Sequence, residues 1–364
     1  MLLNGRATRT IWPEPAAEAI GVIDQRKLPH RVAVVRITSA SEAAEAIANM
    51  TVRGAPLIGV TAAYGLALQA RADASDLALE AAAAMLKATR PTAVNLGWAV
   101  ARTLRLLQML PRTERATAAW AIAGELADAD AASNEAIGRH GLALLRELAT
   151  RKRGERLDIL THCNAGWLAT VDWGTALAPV YMAHREGLPI HVWVDETRPR
   201  NQGSSLTAFE LREHGVPHTV IADNAGGHLM QRGQVDAVIV GCDRVTARGD
   251  VANKIGTYLK ALAAHDCRVP FYVAMPLSTL DRSLGDGLAE IPIEERSARE
   301  VTHAVGRGPG GESVEVQLVP DGTAAANPAF DVTPARLVTA LVTERGVVPA
   351  TPQGIASLTE GSDG

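Results

Sequence analysis

The sequence predicts an α/β protein in which a helical N-terminal domain is followed by a doubly wound, mainly parallel Rossmann-like sheet domain. Three observations predict this class. Helical periodicity dominates up to about residue 150, short apolar runs alternate with helical stretches beyond it, and the segment Lys152–Gly154 lies where the pattern changes. A length of 364 residues also favours two domains over one. We therefore expect domains at residues 1–150 and 151–364.

The helices of the N-terminal domain are predicted from their apolar content and from the signals at their ends. Ser39 and Glu42 have the spacing of a capping box before the first helix. The pair Arg90–Pro91 is expected to break the series, because the residue before a proline is pushed out of the helical region. The predicted helices are Ala43–Met50, Pro56–Arg71, Leu77–Thr89, Leu96–Met109 and Glu114–Leu148, the last with a kink.

The second half of the chain alternates continuous apolar runs with helical stretches. Such runs are typical of parallel strands that are buried on both faces, and parallel strands need a crossover of about a dozen residues or more. The predicted strands are Leu157–Leu160, Ile190–Val194, Thr219–Ile221, Ala237–Val240 and Phe271–Ala274. The predicted helices are Trp173–Glu186, Ser205–His214, Ala225–Arg232 and Ile255–His265.

Composition and charge exclude several classes of protein. The chain has 36 Lys and Arg residues against 40 Asp and Glu, a net charge of −4. Such a balance does not indicate the basic surface by which proteins attract nucleic acid. No segment approaches the roughly 18 consecutive apolar residues that a membrane span needs. Cys163, Cys242 and Cys267 are too few for a disulfide framework, and the last two are interpreted as structural thiols. We expect a cytoplasmic protein without a secretory leader and without membrane or nucleic-acid partners.

Chemistry-bearing residues cluster directly after the predicted strands. In a doubly wound sheet the ligand lies beyond the carboxyl ends of the strands, where the strand order reverses. Five strands that deliver acids, amides, a thiol and guanidinium groups to one edge therefore indicate a functional site there. The segments that follow the strands are Thr161–Gly166, Asp195–Gly203, Asp223–Asn224, Gly241–Arg244 and Met275–Ser278.

Cys163 and Asp243 are the two candidates for chemistry at this edge. A thiol becomes reactive where a helix N-terminus or a cation stabilises its thiolate, and Asn164–Gly166 indicates a tight turn with free N–H groups. Asp243 ends an apolar strand, where partial burial raises a carboxyl pKa and lets the group deliver a proton. The alternatives are a small buried hydrophobe for the cysteine, and a helix cap or an ion pair with Arg244 or Lys254 for the aspartate.

Two predicted helix entrances carry cations. Asn253 and Lys254 precede Gly256 at the expected N-terminus of one helix, and Arg53–Pro56 opens another. A helix N-terminus favours an anion through its dipole and its free N–H groups. In a protein of net negative charge these entrances indicate a small anionic ligand, with phosphate the natural candidate. The alternative is ordinary solvated charge.

Several motif matches are interpreted as carrying no function. The segment Gly306–Gly311 has the glycine spacing of a dinucleotide-binding loop, but the alternation of Glu312–Leu318 predicts a strand where that motif needs a helix. The ten histidines form no recognisable ligand set, so no metal is expected. His162 is not expected to act as the base of Cys163, because neighbouring side chains on a strand point to opposite faces.

Taken together, these segments resemble the methylthioribose-1-phosphate isomerase family, which also holds regulatory subunits of a eukaryotic translation-initiation exchange factor. The resemblance covers the chain from about residue 10 to about residue 348. Its motifs are highly specific in combination. They are Thr51–Pro56, Arg90–Leu96, Thr161–Gly166, Asp195–Pro199, Asn201–Gly203, Asn224–Met230, Gly249–Tyr258 and Asn327–Pro334.

The resemblance implies an aldose–ketose isomerase of methionine salvage, which converts 5-methylthioribose 1-phosphate to 5-methylthioribulose 1-phosphate. It implies a homodimer, and the reaction needs no cofactor. It implies that Cys163 and Asp243 are the catalytic pair. The residues that it implies for substrate binding are Arg53, Gly54, Ala55, Arg90, Gln202, Asn253 and Lys254.

Two alternatives are left open by the sequence. One is a sister isomerase acting on 5-deoxyribose 1-phosphate or ribose 1,5-bisphosphate, and the other is a non-catalytic regulatory or nucleotide-sensing protein on the same scaffold. The presence of both Cys163 and Asp243 argues against the second. The sequence departs from the family pattern in the insertion Gly306–Ser313, at Cys242, where alanine is usual, and at Gly97, where a bulky aromatic residue is usual. A glycine in the pocket wall makes room for a different 5-substituent.

Overall fold

The chain begins with short strands that the sequence analysis did not predict. The structure is a computed structural model, and it describes residues 1–14, 18–90 and 93–358. The strands are β1 (Leu2–Leu3), β2 (Arg6–Ala7), β3 (Ile11–Pro13), β4 (Ile20–Ile23) and β5 (Val34–Ile37). The last three form an antiparallel sheet in the order β3-β4-β5.

Five helices follow, and each lies within three residues of its predicted bounds. They are α1 (Ala40–Ala48), α2 (Ala55–Ala72), α3 (Asp76–Ala88), α4 (Val94–Gln108) and α5 (Arg112–Arg151). The central helix is α2, which is buried along most of its length and packs against the other four. Pro91 and Thr92, on which the predicted helix break depends, lie outside the described residues.

The N-terminal cap of α1 differs in one respect from the predicted capping box. The hydroxyl of Ser39 accepts a hydrogen bond from the N–H of Glu42 at 3.2 Å, as expected. The carboxylate of Glu42 accepts from the N–H of Thr38 at 2.6 Å, one residue before the cap residue. The reciprocal bond of the box is therefore displaced by one residue, and it still satisfies a free donor at the helix entrance.

The remaining elements alternate strands and helices. They are β6 (Leu157–Thr161), α6 (Ala178–Arg185), β7 (Ile190–Asp195), α7 (Ala208–Glu213), β8 (His218–Ile221), α8 (Ala225–Gln231), β9 (Ala237–Val240), β10 (Arg244–Thr246), β11 (Val251–Lys254), α9 (Thr257–Cys267), β12 (Phe271–Ala274), β13 (Leu280–Asp281), α10 (Gly287–Glu290), α11 (Arg299–Thr302), β14 (His303–Arg307), β15 (Ser313–Gln317), β16 (Phe330–Thr333), β17 (Ala340–Thr343), β18 (Gly346–Val348) and α12 (Pro352–Ser357).

A seven-stranded sheet in the order β18-β17-β12-β9-β6-β7-β8 forms the core of this half. All neighbouring strands are parallel except β17 and β18. From β6 the chain builds outward through β7 and β8, and then returns to place β9 on the other side of β6. The strand order therefore reverses between β6 and β9, and the predicted doubly wound class is confirmed.

Alternate residues of the strands enter two different cores, because helices cover both faces of the sheet. Ile159 and Ile239 pack in a cluster with side chains of α5, α6 and α7. Leu160 and Val238 pack in a second cluster with side chains of α8 and α9. This burial on both faces explains why the strands are continuous apolar runs in the sequence.

The residues just before the helix predicted from Ile255 belong to a second, smaller sheet. It has the order β13-β10-β11-β16, and β11 pairs antiparallel with β16. Asn253 and Lys254 lie in β11, and α9 begins at Thr257, after Gly256 with φ of +103°. The helix therefore begins two residues later than predicted, and Asn253 and Lys254 precede it as strand residues. Pairing with β16 keeps these residues extended until the glycine turns the chain.

Two other helix predictions differ in detail. The helix predicted from residue 173 begins at Ala178, and the helix predicted from residue 205 is a π-helical segment, Gly203–Thr207, that continues into α7. The Gly-rich insertion is the turn of the hairpin β14–β15, so the predicted strand after it is confirmed. None of the helices within the described ranges is both long and apolar enough to cross a membrane.

Helix α5 contacts both halves of the chain. It packs against α2 in the N-terminal half and against α6 and β17 in the α/β half. The predicted boundary near residue 150 coincides with the end of this shared helix. The division into two domains stays a prediction.

Candidate active site

Cys163 and Asp243 follow the two strands between which the order of the large sheet reverses. Cys163 comes two residues after β6, and Asp243 comes three residues after β9. Because β6 and β9 are parallel neighbours, their carboxyl ends deliver both residues to one crevice. Both line a single cavity. The structure therefore brings together the two residues that the sequence analysis placed on different strands.

The backbone of Cys163 has an unusual conformation that its neighbours enforce. Its φ is +65°, in the left-handed region that a residue with a side chain rarely adopts. The Cys163 N–H donates to the hydroxyl of Thr197 at 2.8 Å, and its carbonyl accepts from the hydroxyl of Thr207 at 2.7 Å. Two threonines from the next strand connection thus hold the thiol-bearing turn in a strained shape, a feature that is common at functional sites.

Arg53 is anchored to this same turn. Its guanidinium donates to the side-chain oxygen of Asn164 at 2.6 Å and to the Asn164 carbonyl at 2.9 Å. The Asn164 amide donates in turn to the fully buried carboxylate of Glu210 at 2.8 Å. Glu210 also accepts from the Trp167 N–H and the Tyr181 hydroxyl. A chain of buried hydrogen bonds therefore fixes the position of an arginine at the cavity wall.

The N-terminus of α2 forms another part of the wall. Gly54 and Ala55 line the cavity at the point where the helix begins. The first N–H groups of a helix have no partner within it, so they are available to an anion. Gly54 has φ of +92°, and a Cβ added there would lie 2.2 Å from the carbonyl oxygen of Ala169. Only glycine allows this close approach.

Arg90 and Gln202 bring unsatisfied polar atoms to the cavity. Arg90 forms an ion pair with Glu294 at 3.3 Å, while its Nε has no hydrogen-bond partner in the described parts of the chain. The side-chain oxygen of Gln202 is also buried without a partner there. Unpaired buried polar atoms are costly, so they indicate a place where a polar ligand binds.

Burial and opposite charges act against each other at Asp243 and Lys254. Burial raises the pKa of Asp243, while the charges of Lys254, Arg90 and Arg53 act to lower it. Burial lowers the pKa of Lys254, while Cys163 and Asp243 act to raise it. The Lys254 ammonium lies 4.5 Å from the centre of the Phe330 ring. The arrangement can therefore supply a neutral carboxylic acid beside a cluster of cations.

Asn253 and Gly97 do not line this cavity. Neighbouring residues of a strand point to opposite sides, and Ala252 and Lys254 face the cavity while the Asn253 amide donates to the Thr257 hydroxyl at 3.0 Å. A Cβ added to Gly97 would meet nothing within 4 Å. The condition for an enlarged pocket, a glycine at position 97 in the cavity wall, is not met among the described lining residues.

The cavity includes residues that the sequence analysis did not assign to it. They come from segments far apart in the chain, and several are apolar side chains with no motif that marks them. Arg244 lies in a segment predicted to follow a strand, and Ala93, Ala252 and Phe330 lie in segments that carry the resemblance, so a signal was present for these four. They are Met50, Ile58, Ala93, Arg244, Ala252, Ile291, Pro292 and Phe330.

Two other residues that could supply a base or a thiol, His162 and Cys242, are engaged by other partners. Both ring nitrogens of His162 have partners, Asp195 and the carbonyl of Ile255, so this histidine is not the base of the neighbouring cysteine. Burial raises the pKa of Cys242 to about 12, and its thiol lies 3.4 Å from the Thr279 hydroxyl. These contacts agree with a structural role for Cys242.

The cavity combines a thiol, a buried acid and an excess of positive charge. Arg53, Arg90, Arg244 and Lys254 line it together with one acid, Asp243. Phosphate is the anion that such a set of cations and helix N–H groups binds well. A thiol and a carboxyl group at the carboxyl ends of neighbouring strands can then move protons on a ligand held by its phosphate.

The chain matches known proteins over nearly its whole length. The model of the Initiation factor 2 subunit family matches residues 51–350. The methylthioribose-1-phosphate isomerase of Methylobacterium nodulans is 63% identical over 358 residues, which cover 98% of each chain.

Two solved structures share the fold. The 5-methylthioribose 1-phosphate isomerase from Pyrococcus horikoshii is 41% identical with a TM-score of 0.83, covering 98% of this chain and 96% of that one. The translation initiation factor eIF-2B, subunit delta, from A. fulgidus is 39% identical with a TM-score of 0.79, covering 97% and 99%. The chain therefore belongs to the initiation factor 2 subunit family and, within it, to the methylthioribose-1-phosphate isomerase family.

Proposed function

We propose that this protein is an aldose–ketose isomerase that converts 5-methylthioribose 1-phosphate to 5-methylthioribulose 1-phosphate, a step of methionine salvage. The observation that carries the proposal is that Cys163, Asp243 and a group of cations line one cavity at the switch point of the sheet. A relative that is 63% identical bears the name of this activity, which supports the same reaction.

The phosphate group of the substrate binds where positive charge and free N–H groups converge. Gly54 and Ala55 offer helix N–H groups, while Arg53, Arg90 and Lys254 offer cations. The unpaired side-chain oxygen of Gln202 accepts from a sugar hydroxyl. Asn253 stays a predicted substrate ligand, although its amide is engaged by Thr257.

The apolar part of the cavity supports a methylthio group at position 5 of the sugar. Met50, Ile58, Ile291 and Pro292 line the wall together with the charged residues. A thioether is apolar and polarizable, so it packs well against such side chains. A second phosphate, as in ribose 1,5-bisphosphate, would be costly to bury against them.

Asp243 opens the sugar ring. The anomeric oxygen carries the phosphate, so the ring cannot open through a free hemiacetal. The neutral carboxyl group of Asp243 gives its proton to the ring oxygen as the bond from that oxygen to C1 breaks. Lys254 and the arginines spread the charge of the phosphate while this happens.

A hydrogen then moves from C2 to C1, and the C2 hydroxyl gives its proton to the Asp243 carboxylate left by ring opening, which forms the ketone and restores the acid. In one route Cys163 removes the C2 proton, forms an enediol and returns the proton to C1. In the other route the hydrogen moves directly as a hydride. In heavy water, deuterium at C1 of the product indicates the enediol route. Its absence, under conditions where a carrier proton exchanges, indicates the hydride shift.

The proposed activity is tested by assaying the purified protein on three sugar phosphates. We expect turnover of 5-methylthioribose 1-phosphate, and much slower turnover of 5-deoxyribose 1-phosphate and ribose 1,5-bisphosphate. Cys163→Ser and Asp243→Asn are each expected to lower kcat by about 10²-fold or more. Cys267→Ser changes a thiol on α9 and is the matched control. Full turnover by both site variants contradicts the proposed pair.

The assembly, the compartment and the domain division are also proposals. We propose a homodimer in the cytoplasm, as the family resemblance implies, with domains at residues 1–150 and 151–364. Light scattering on the purified protein tests the dimer, and a monomer at assay concentration contradicts it.

A further inference from the structure

The residue before the catalytic thiol, His162, has an unusual set of partners. Its side chain is 1% exposed. Its Nδ1 lies 2.9 Å from a carboxylate oxygen of Asp195, and its Nε2 lies 2.8 Å from the carbonyl oxygen of Ile255. A carbonyl oxygen can only accept a hydrogen bond, and so can an ionised carboxylate. Both ring nitrogens must therefore carry a proton if Asp195 is ionised.

Asp195 also pairs with a second buried cation. The ammonium of Lys260 lies 3.1 Å from the same carboxylate oxygen, and both side chains are almost completely buried. A buried ammonium needs an anionic partner, because an isolated charge is costly away from water. One oxygen of Asp195 therefore lies within ion-pair distance of both His162 and Lys260.

Two further carboxylates balance the charge of this cluster. Asp223 lies 3.9 Å from the His162 ring and accepts from the N–H groups of Thr197 and Arg198. Asp331 accepts from the N–H of Gly256 and is influenced by the charges of His162 and Lys260. The cluster thus holds two cations among three acids. His162, Asp195 and Asp223 could offer three metal ligands, but the Lys260 ammonium already serves as the cation there.

His162 joins the three turns that build the active site. It belongs to the Cys163 turn after β6, it bonds to Asp195 at the end of β7, and it bonds to the residue that follows Lys254 after β11. Its ring also lies under Gly256, where an added Cβ would be 2.9 Å from it. The ring therefore connects the turn that carries the thiol to the segment that follows Lys254.

We propose that His162 is a positioning residue for the isomerisation, held as an imidazolium that fixes Cys163 relative to Lys254. It keeps both protons throughout the reaction, because each is donated to a buried acceptor. The inference rests on the proposed isomerase function for its effect on turnover. The protonation of the ring can be tested without any activity.

The direct test is nuclear magnetic resonance of the full chain with ¹⁵N-labelled histidine at about pH 8, where a free histidine, with a pKa of about 6.5, is neutral. The His162 signals are assigned by their loss in His162→Gln. We expect an attached proton on both ring nitrogens at this pH. A ring nitrogen without a proton at pH 8 overturns the proposal, whether or not the enzyme is active.

The second test compares two buried histidines of the same sheet. His191 lies near the start of β7, beside Asp158 and the Thr219 hydroxyl and away from the strand ends that carry the site. We expect His162→Gln to lower kcat at least tenfold per folded molecule and His191→Gln to leave kcat unchanged. Equal kcat for the two variants overturns the positioning role. If His162→Gln does not fold, the resonance measurement on the unaltered protein still decides.

Discussion

At the scale of single residues, the proposed chemistry depends on a partly buried acid beside cations. Burial raises the pKa of Asp243, and the charge of Glu294 raises it further, while Lys254, Arg90 and Arg53 oppose them. A general acid works best when its pKa lies near the pH of the reaction. The burial of Asp243 raises the pKa of its carboxyl group in that direction.

This shift predicts the pH dependence of the reaction. The protonated acid is the active form, and it is lost as the pH rises through the raised pKa. We therefore expect kcat/KM to fall with rising pH, at a pH above about 3.9, where an ordinary aspartic acid ionises. Glu294→Gln removes a charge that raises this pKa, so the fall should move to lower pH. If kcat/KM falls at the same pH in Glu294→Gln as in the unaltered protein, the assignment of Asp243 as the acid is contradicted. A kcat/KM that rises through this pH range contradicts it as well.

Part of the site could be predicted from single residues and part could not. Cys163, Asp243, Arg53 and Lys254 carry functional groups next to strand ends or helix starts, which are recognisable in a sequence. Arg90 looks only like a helix breaker before a proline, and the family resemblance alone identified it. Apolar lining residues such as Ile291 and Phe330 carry no signal of their own, because only the tertiary fold brings them to the cavity.

At the scale of elements, the N-terminus of α2 packs closely against the backbone of Ala169 and is also the part of the helix that we propose binds the phosphate. Gly54 has φ of +92° and approaches the backbone of Ala169 more closely than any side chain would allow. The helix N-terminus can therefore reach the cavity wall. A larger residue would push this entrance away from the bound phosphate.

Two glycine-to-alanine variants test this coupling. Gly54→Ala is expected to raise KM for the substrate at least tenfold and to lower the unfolding temperature, because its Cβ would lie 2.2 Å from the Ala169 carbonyl oxygen. The methyl group added by Gly97→Ala, inside α4, has no other atom within 4 Å. This variant should therefore raise the free energy of unfolding by up to about 1 kcal/mol and leave KM unchanged. Enzyme assays and thermal unfolding measure both effects. An unchanged KM in Gly54→Ala contradicts the role of the helix entrance.

The elements predicted from the sequence are those whose apolar pattern extends over several consecutive residues or helical turns. The sequence analysis predicts five of the seven strands of the large sheet from apolar runs, but not β17 or β18. The helices of the N-terminal half have apolar periodicity over several turns. The strands of the second sheet are two to four residues long and depend on distant partners, as β11 does on β16. Local propensity is too weak to indicate such pairings.

At the scale of the whole molecule, one half-buried acid links α5 to the connection after β6. Asp130 accepts from the N–H of Val171 at 2.7 Å, and burial raises its pKa to about 7. The unfolded chain has an ordinary aspartate there, with a pKa of about 3.9. Between these two values the folded protein binds the proton more tightly than the unfolded chain does.

The stability of the protein should therefore depend on pH through Asp130. Its contribution is fully present below about pH 4 and is lost as the pH rises through about 7. We expect the urea midpoint of the unaltered protein to fall over this range relative to that of Asp130→Asn. Asp128→Asn changes an exposed acid on the same helix, which pairs with Arg9, and is the control. Parallel pH profiles for Asp130→Asn and the unaltered protein contradict this linkage.

The most direct measurement is a crystal structure of Asp243→Asn with 5-methylthioribose 1-phosphate bound. Our account predicts the phosphate at the N-terminus of α2, the ring oxygen within hydrogen-bond distance of the residue 243 side chain, and C1 and C2 beside the Cys163 thiol. A sugar bound in another crevice, or one whose C1 and C2 face away from Cys163, would contradict it.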